Sequence, residues 1–378
     1  MAGFIDPDHR RLLAGGGRYV DDERRDGALY MAVLRSPVAH GAITAMNAAD
    51  AAEMPGVRLV LTATDLAGIG PLVAHSRIEG MVEPRRPVLA EGRVLYVGQP
   101  VAAVLGDTAE AALDALEAIA LEIDDLAPVV DVETAADIPA IWPDAPDNRA
   151  FAWEKGNGDE TDRLIATAPH VVRLTVAHPR IAISPMEPRG CVAEHVADTG
   201  RYALTVPSQG VVSIRTAMAG ALGVPPDRVR VLTHDVGGSF AAKIWPYPEH
   251  VLALVATRAT GRPVRWTASR SDGFLGDAPG RARLDRGTLA LDRQGRFLAF
   301  RIEALADMGA FLNAAAPSIV TTGAVRPFGQ LYRIPGQHYR VEAVFTNAHP
   351  TDAYRGAGKP ETAATLERLI EAAAAELG

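Results

Sequence analysis

The chain of 378 residues contains a single cysteine, Cys191, so no internal disulfide and no multi-thiolate metal site can form within it. A reducing compartment is the expected setting, with Cys191 a buried, inert thiol. The 10 histidines show neither HxH nor HExxH spacing, which leaves no zinc signature. Aromatic residues are scarce at 6%, so the core is expected to be aliphatic. No apolar run of about 18 residues occurs, and the start MAGFIDPDHRRLLAGGG places charges where a secretory signal needs an apolar stretch. A cytoplasmic protein without a membrane span is the expectation. Positive charge is short as well: 38 Lys plus Arg against 46 Asp plus Glu give a net charge of −8, which argues against nucleic acid as a partner.

What is present suits a globular chain, with 48% hydrophobic and 22% charged residues and a length that allows two or three domains. The 35 glycines and 27 prolines break it into many short elements. Continuous or alternating apolar runs mark strands at 29–34, 57–61, 93–97, 101–105 and near 121–123. Asp107 and Glu110 have capping-box spacing ahead of a helix over about 108–121. The acidic, proline-containing stretch 124–147 reads as a domain exit, which divides the chain into 1–135 and 136–378.

Beyond that exit, strands are expected at 170–177, 202–206, 228–233, 264–267, 283–291 and 298–304. Helices are expected from Ser208, with Val212, Thr216, Ala219 and Leu222 on one face, over 249–260 before Gly261, and over 360–377 with Leu366, Leu369, Ile370 and Ala373 inward. Strands and helices alternate too irregularly for a barrel, so the fold class is α+β.

Two glycine-rich turns could carry chemistry. Thr233–Lys243 (THDVGGSFAAK) joins a strand to a helix through small residues that let the main chain approach a ligand and expose its N–H groups. Equally, it could be a tight connection that needs positive φ at Gly237 or Gly238. It has neither Walker A nor dinucleotide spacing. Tyr354–Glu361 (YRGAGKPE) delivers Arg355, Gly356 and Gly358 to the start of the last helix, where a guanidinium and free amides suit an anion. A surface arginine is the plainer reading. Met186-Glu187-Pro188-Arg189 reads as an ion pair about a fixed proline, and Gln209 as a hydrogen-bonding residue at a helix start.

Taken together, these residues resemble the large, molybdenum-binding subunit of the xanthine dehydrogenase, aldehyde oxidase and carbon monoxide dehydrogenase family. The marks run the whole length: Leu13–Asp22 (LAGGGRYVDD), Leu34–His40 (LRSPVAH) and Tyr96–Ala102 (YVGQPVA) are similar to the family's hammerhead-like α/β domain. Met186–Arg189, Gln209, Gly237–Phe240 and Tyr354–Gly358 resemble its first molybdopterin-binding domain. The resemblance implies that 1–135 is hammerhead-like and that 136–378 is the first molybdopterin-binding domain of an N-terminal half.

It further implies oxidative hydroxylation of an aldehyde or N-heteroaromatic compound with water-derived oxygen. The cofactor would be molybdenum-molybdopterin in its cytosine dinucleotide form. Electrons would leave through a 2Fe-2S small subunit and an FAD-binding medium subunit. By the same resemblance Gln209, which precedes Phe240 by 31 residues, and Phe240 lie near the metal without ligating it. Gly237, Gly238, Ser239, Ala241, Arg355, Gly356 and Gly358 contact the cofactor, and Arg355 and Gln209 serve catalysis. Ala241 replaces a usual glycine. Ile244 stands where purine oxidisers carry a glutamate, and Gly356 where carbon monoxide oxidisers place a copper-holding cysteine, so xanthine and carbon monoxide are disfavoured as substrates. The family's GQG loop and general-base glutamate are absent from this sequence and are expected on a C-terminal half; without that half, an inactive assembly module is the alternative.

Overall fold

Residues 7–378 are described by a computed structural model, in which the strands sort into three sheets. The chain opens with α1 (Pro7–Leu13), β1 (Leu29–Arg35), β2 (Gly41–Asn47), α2 (Ala49–Glu53) and β3 (Val57–Leu61). It continues through β4 (Arg93–Val94), β5 (Pro100–Gly106), α3 (Ala109–Glu117), β6 (Ala120–Asp125), β7 (Arg149–Gly156), α4 (Gly158–Thr167) and β8 (His170–Ile181). Then come β9 (Gly190–Val196), β10 (Arg201–Thr205), α5 (Val211–Leu222), β11 (Val229–Leu232), α6 (Pro248–Thr260), β12 (Val264–Thr267) and α7 (Arg270–Gly276). The last elements are β13 (Gly280–Leu291), β14 (Phe297–Gly309), α8 (Ala316–Ser318), β15 (Gly336–Phe345) and α9 (Lys359–Leu377).

A seven-stranded sheet has the order β11-β10-β9-β12-β1-β5-β3, a five-stranded one β7-β15-β14-β13-β8, and a small one β4-β2-β6. The large sheet draws on both sides of residue 135: β1 runs parallel to β12, with Leu29 opposite Val264, and antiparallel to β5, with Tyr30 opposite Gly106. Most pairings are antiparallel; β14 with β15 and β10 with β11 are parallel. The architecture is α+β, as the pattern implied.

Two main cores follow from these sheets. Against the large sheet, α6 buries Val251 to Ala256 at no more than 4% exposure each, so it is apolar on every side rather than amphipathic. Each leucine so enclosed contributes roughly 1.5–3 kcal/mol. The five-stranded sheet is covered by α9, whose Leu366, Leu369 and Ala373 face inward as expected. Its core is mostly aliphatic, as expected, with Phe300, Phe311, Tyr339 and Phe345 fully buried among the alanines, valines and leucines.

Several local expectations are corrected. Thr108, not Asp107, caps α3, its hydroxyl oxygen accepting the Ala111 N–H at 3.1 Å, while Asp107 pairs with Arg58 and Arg262. The helix stops at Glu117 because Ala120–Asp125 are already paired with β2. The strand expected over 93–97 is only β4, since Gln99 folds back to accept the Leu95 N–H at 2.7 Å and donates its own N–H to Tyr96. On α5 the buried stripe includes Ile214, Met218 and Ala221, while Val212 and Thr216 are exposed; packing on β11 and α6 sets the rotation. Strands β2, β7, β9 and β15 and helix α4 were not expected. In β15, Tyr339, Val341, Ala343 and Phe345 alternate inward, the period-two signal that polar neighbours such as Gln337 and Arg340 obscure. Among the described residues, no helix is long and apolar enough to cross a membrane.

Candidate cofactor site

The glycine-rich turn leaves β11 at the edge of the large sheet and runs to α6, and its two ends are held by one carboxylate. Glu187 accepts the Gly237 N–H at 2.8 Å and the Lys243 ammonium at 2.9 Å through one oxygen, and the Val20 N–H at 3.2 Å through the other. Gly237 has no room for a side chain: a Cβ there would lie 2.5 Å from that of Glu187. Burial lowers the Lys243 pKa from its ordinary value even beside this partner. The start of the turn is held by Arg11, whose guanidinium, helped by the Arg18 N–H, keeps Asp235 well below the usual carboxylate range.

Glu187 and Arg189 therefore do not pair with each other, because Pro188 directs them to opposite sides. Arg189, 2% exposed, binds Asp277 at 2.5 Å and Glu249 at 3.1 Å and stacks 3.7 Å above the Tyr247 ring. Glu249 also takes Arg35 from β1 at 2.7 Å, and Arg35 reaches Asp272 at 2.9 Å. This chain of charges ties β1, β9, α6 and α7 together directly beneath the turn. The two guanidiniums hold Glu249 far below its ordinary value against the penalty of burial.

Between Gly237 and Lys243 the backbone takes unusual conformations. Gly238 has φ +95°, Phe240 +50° and Ala241 +83°, a left-handed run that costs L-residues roughly 1–2 kcal/mol each. Such strain persists only where surroundings impose it, and here two contacts do so. The Gln209 side-chain oxygen accepts the Ala241 N–H at 3.0 Å, and its backbone N–H donates to the Lys243 carbonyl at 3.1 Å. From the other turn, the Arg355 N–H donates to the Phe240 carbonyl at 3.1 Å, and the guanidinium sits 5.8 Å from the Phe240 ring centroid.

Gln209, the Phe240–Ala241 peptide and Arg355 thus converge on one patch. All three side chains or rings are open to solvent there, Phe240 at 43% exposure. The N–H groups of Gly238, Ser239 and Phe240 make no hydrogen bond among the described residues. The Gly237 amide is spent on Glu187, and the Ser239 hydroxyl on the Lys243 N–H.

The second turn is shaped by its glycines. A Cβ at Gly358, φ +86°, would strike the Ile319 carbonyl at 2.1 Å, and one at Gly356, φ +109°, the Pro360 ring at 2.3 Å. Arg281 holds this turn by donating to the Tyr354 and Arg355 carbonyls while paired with Glu361 at 3.0 Å. Lys243, Glu249, Arg281 and Arg35 escape sequence reading, since each lies far along the chain from what it supports; an unexpectedly apolar flank around Glu249 is the one local sign that it is buried. Cys191 is buried in β9, and burial pushes its thiol pKa up.

Residues 141–378 match the molybdopterin cofactor-binding domain, and residues 14–127 the a/b hammerhead domain of aldehyde oxidase and xanthine dehydrogenase. The chain belongs to this molybdopterin-binding family. Its family relatives include the carbon monoxide dehydrogenase large chain of Hydrogenophaga pseudoflava, 34% identical over 97% of this chain and 47% of that protein. The nicotine 6-hydroxylase large subunit of Paenarthrobacter nicotinovorans is also 34% identical, over 95% of this chain and 44% of its own length. Quinoline 2-oxidoreductase from Pseudomonas putida 86 superposes with a TM-score of 0.92 at 33% identity, over 98% of this chain and 48% of that one. The chain spans about half the length of these relatives.

The residues present fit the family's cofactor. That cofactor carries its metal on an organic group, and among the described residues no three His, Cys, Asp or Glu side chains are grouped to hold a metal ion themselves. Free main-chain amides, a carboxamide and a guanidinium suit such a group.

Proposed function

We propose that this chain is the N-terminal half of a molybdenum hydroxylase large subunit, dividing near residue 135 into hammerhead-like and first molybdopterin-binding domains. Its reaction is the oxidative hydroxylation of an aldehyde or N-heteroaromatic substrate. The observation that carries the reading is the convergence of Gln209, Phe240–Ala241 and Arg355 through direct hydrogen bonds. When bound, the cofactor, in the cytosine dinucleotide form, supplies the two-electron oxidation and the oxygen transfer. The chain's own groups hold and orient it: Gln209 and the amides of Gly238 to Phe240 face its polar atoms, with Gly237, Ala241, Gly356 and Gly358 shaping the cradle. Arg355, which has no carboxylate partner among the described residues, stabilises negative charge as it develops on the substrate.

Two positions narrow the substrate class. Ile244 offers no carboxylate to a purine. Gly356 sits at φ +109°, a conformation in which a copper-holding cysteine would be strained. The relatives named for nicotine and quinoline chemistry favour an N-heteroaromatic substrate. Partners of this reading are a C-terminal half, a 2Fe-2S small subunit and an FAD-binding medium subunit.

The share of each relative that is covered favours one second reading, an inactive assembly module that keeps the fold and binds partner subunits. Co-expression with a C-terminal half bearing the GQG loop and the base glutamate separates the two. Bound molybdenum and dye-linked oxidation of an N-heteroaromatic compound are expected. An assembled complex free of molybdenum would refute the enzyme and leave the module.

A further inference from the structure

On the outer edge of the large sheet, away from the charges beneath the turn, α5 and strands β10 and β11 enclose a cleft of about 320 Å³. That volume lies at the lower end for small-molecule sites. Arg201, Arg215 and Arg230 line it, each exposed, together with Val212, Val231 and a single acid, Asp227. The topology explains the grouping. β10 and β11 are parallel neighbours, with Ala203 opposite Arg230, so Arg201 and Arg230 start from adjacent strands, and α5 lies against β11 with Arg215 one turn in from Val211.

What sets the cleft apart is that three unpaired arginines line one hollow. Some exposed arginines elsewhere pair with carboxylates, as Arg163 does with Glu160 and Arg340 with Glu342, while others, Arg293 and Arg355 among them, stand singly without one among the described residues. None of the three cleft arginines has a carboxylate within ion-pair distance among the described residues, and Asp227 pairs with none of them. Arg228, beside them, donates to the Thr199 carbonyl. A chain of net charge −8 thus gathers three uncompensated guanidiniums around one hollow, at the cost of their mutual repulsion. Planar guanidinium forks match phosphate oxygens bidentately, and the valines offer an apolar wall to whatever carries the phosphate.

We propose that this cleft binds a small organic phosphate, its phosphate groups held by Arg201, Arg215 and Arg230 and its uncharged part against Val212 and Val231. The site is separate from the molybdopterin reading and stands without it. Calorimetric titration of the 378-residue chain with ADP and, separately, with inorganic pyrophosphate tests it. One saturable site is expected, with ADP tighter than pyrophosphate, and with Arg215→Glu and Arg230→Glu each weakening ADP by roughly tenfold or more. Arg293→Glu, which makes the same charge change at a distance, should leave binding within about twofold. The proposal is overturned by an absence of saturable binding up to about 5 mM. It is equally overturned by variants that bind as the parent does, or by an equal loss in Arg293→Glu. Pyrophosphate binding as tightly as ADP would refute the apolar wall.

Discussion

Replacing Glu249 by glutamine tests whether the buried charges beneath the turn hold the two halves of the large sheet in register. The carboxylate is 1% exposed and bridges Arg189 and Arg35, whose side chains are 2% and 6% exposed. Glutamine keeps the volume but removes the charge, leaving two guanidiniums with only Asp277 and Asp272. Breaking a buried ion pair from one side costs roughly 3–5 kcal/mol. That is a large part of the roughly 5–15 kcal/mol that holds a domain folded. At about 2–4 °C per kcal/mol, the melting midpoint should fall by roughly 6–20 °C.

The sign of the pH dependence follows from the lowered pKa of Glu249. Its contribution is fully present above the unfolded value of 4.5 and is lost as pH falls through the folded one. The gap between parent and variant should therefore be constant at neutral pH and begin to narrow as pH falls below about 4.5. Thermal unfolding by circular dichroism from pH 7 to pH 3 measures both. A loss below about 1 kcal/mol at neutral pH, the range of a surface pair, would refute the reasoning.

Ala241→Gly should stabilise the fold by about 0.5–1 kcal/mol, because relief of roughly 1–2 kcal/mol of left-handed strain exceeds the roughly 0.5–1 kcal/mol of extra chain entropy lost by glycine. Chemical denaturation measures this, and a destabilised variant would show that the alanine is not strained. Asp352, held by the Ala353 and Ala315 N–H groups, is pushed up to about 7 by burial, while burial lowers His250 to about 4 and His349 to about 3. At pH 5–6 unfolding then takes up protons at two histidines and releases one from Asp352. In Asp352→Asn the release disappears, so the rise of stability with pH should steepen from roughly one proton to roughly two, or about 1.4 kcal/mol more per pH unit. Parallel pH profiles for parent and variant would contradict this.

Much of this protein was legible in the residues themselves. Continuous apolar runs, Gly223 and Gly261 as helix stops, and Pro360 at the head of α9 are local signals, and the corresponding elements lie within a few residues of expectation. The family followed from short motifs in order, some of them set by backbone needs at their own positions, such as the positive φ of Gly238 and Gly358. Tertiary structure decided the rest. Which face of α5 turns inward, where α3 ends, and that Glu187 serves Lys243 rather than Arg189 depend on partners tens to hundreds of residues away. So does the meeting of Gln209, Ala241 and Arg355: hydrogen bonds between distant segments leave no periodic trace in a chain, because only the folded sheet brings their donors and acceptors within 3.1 Å.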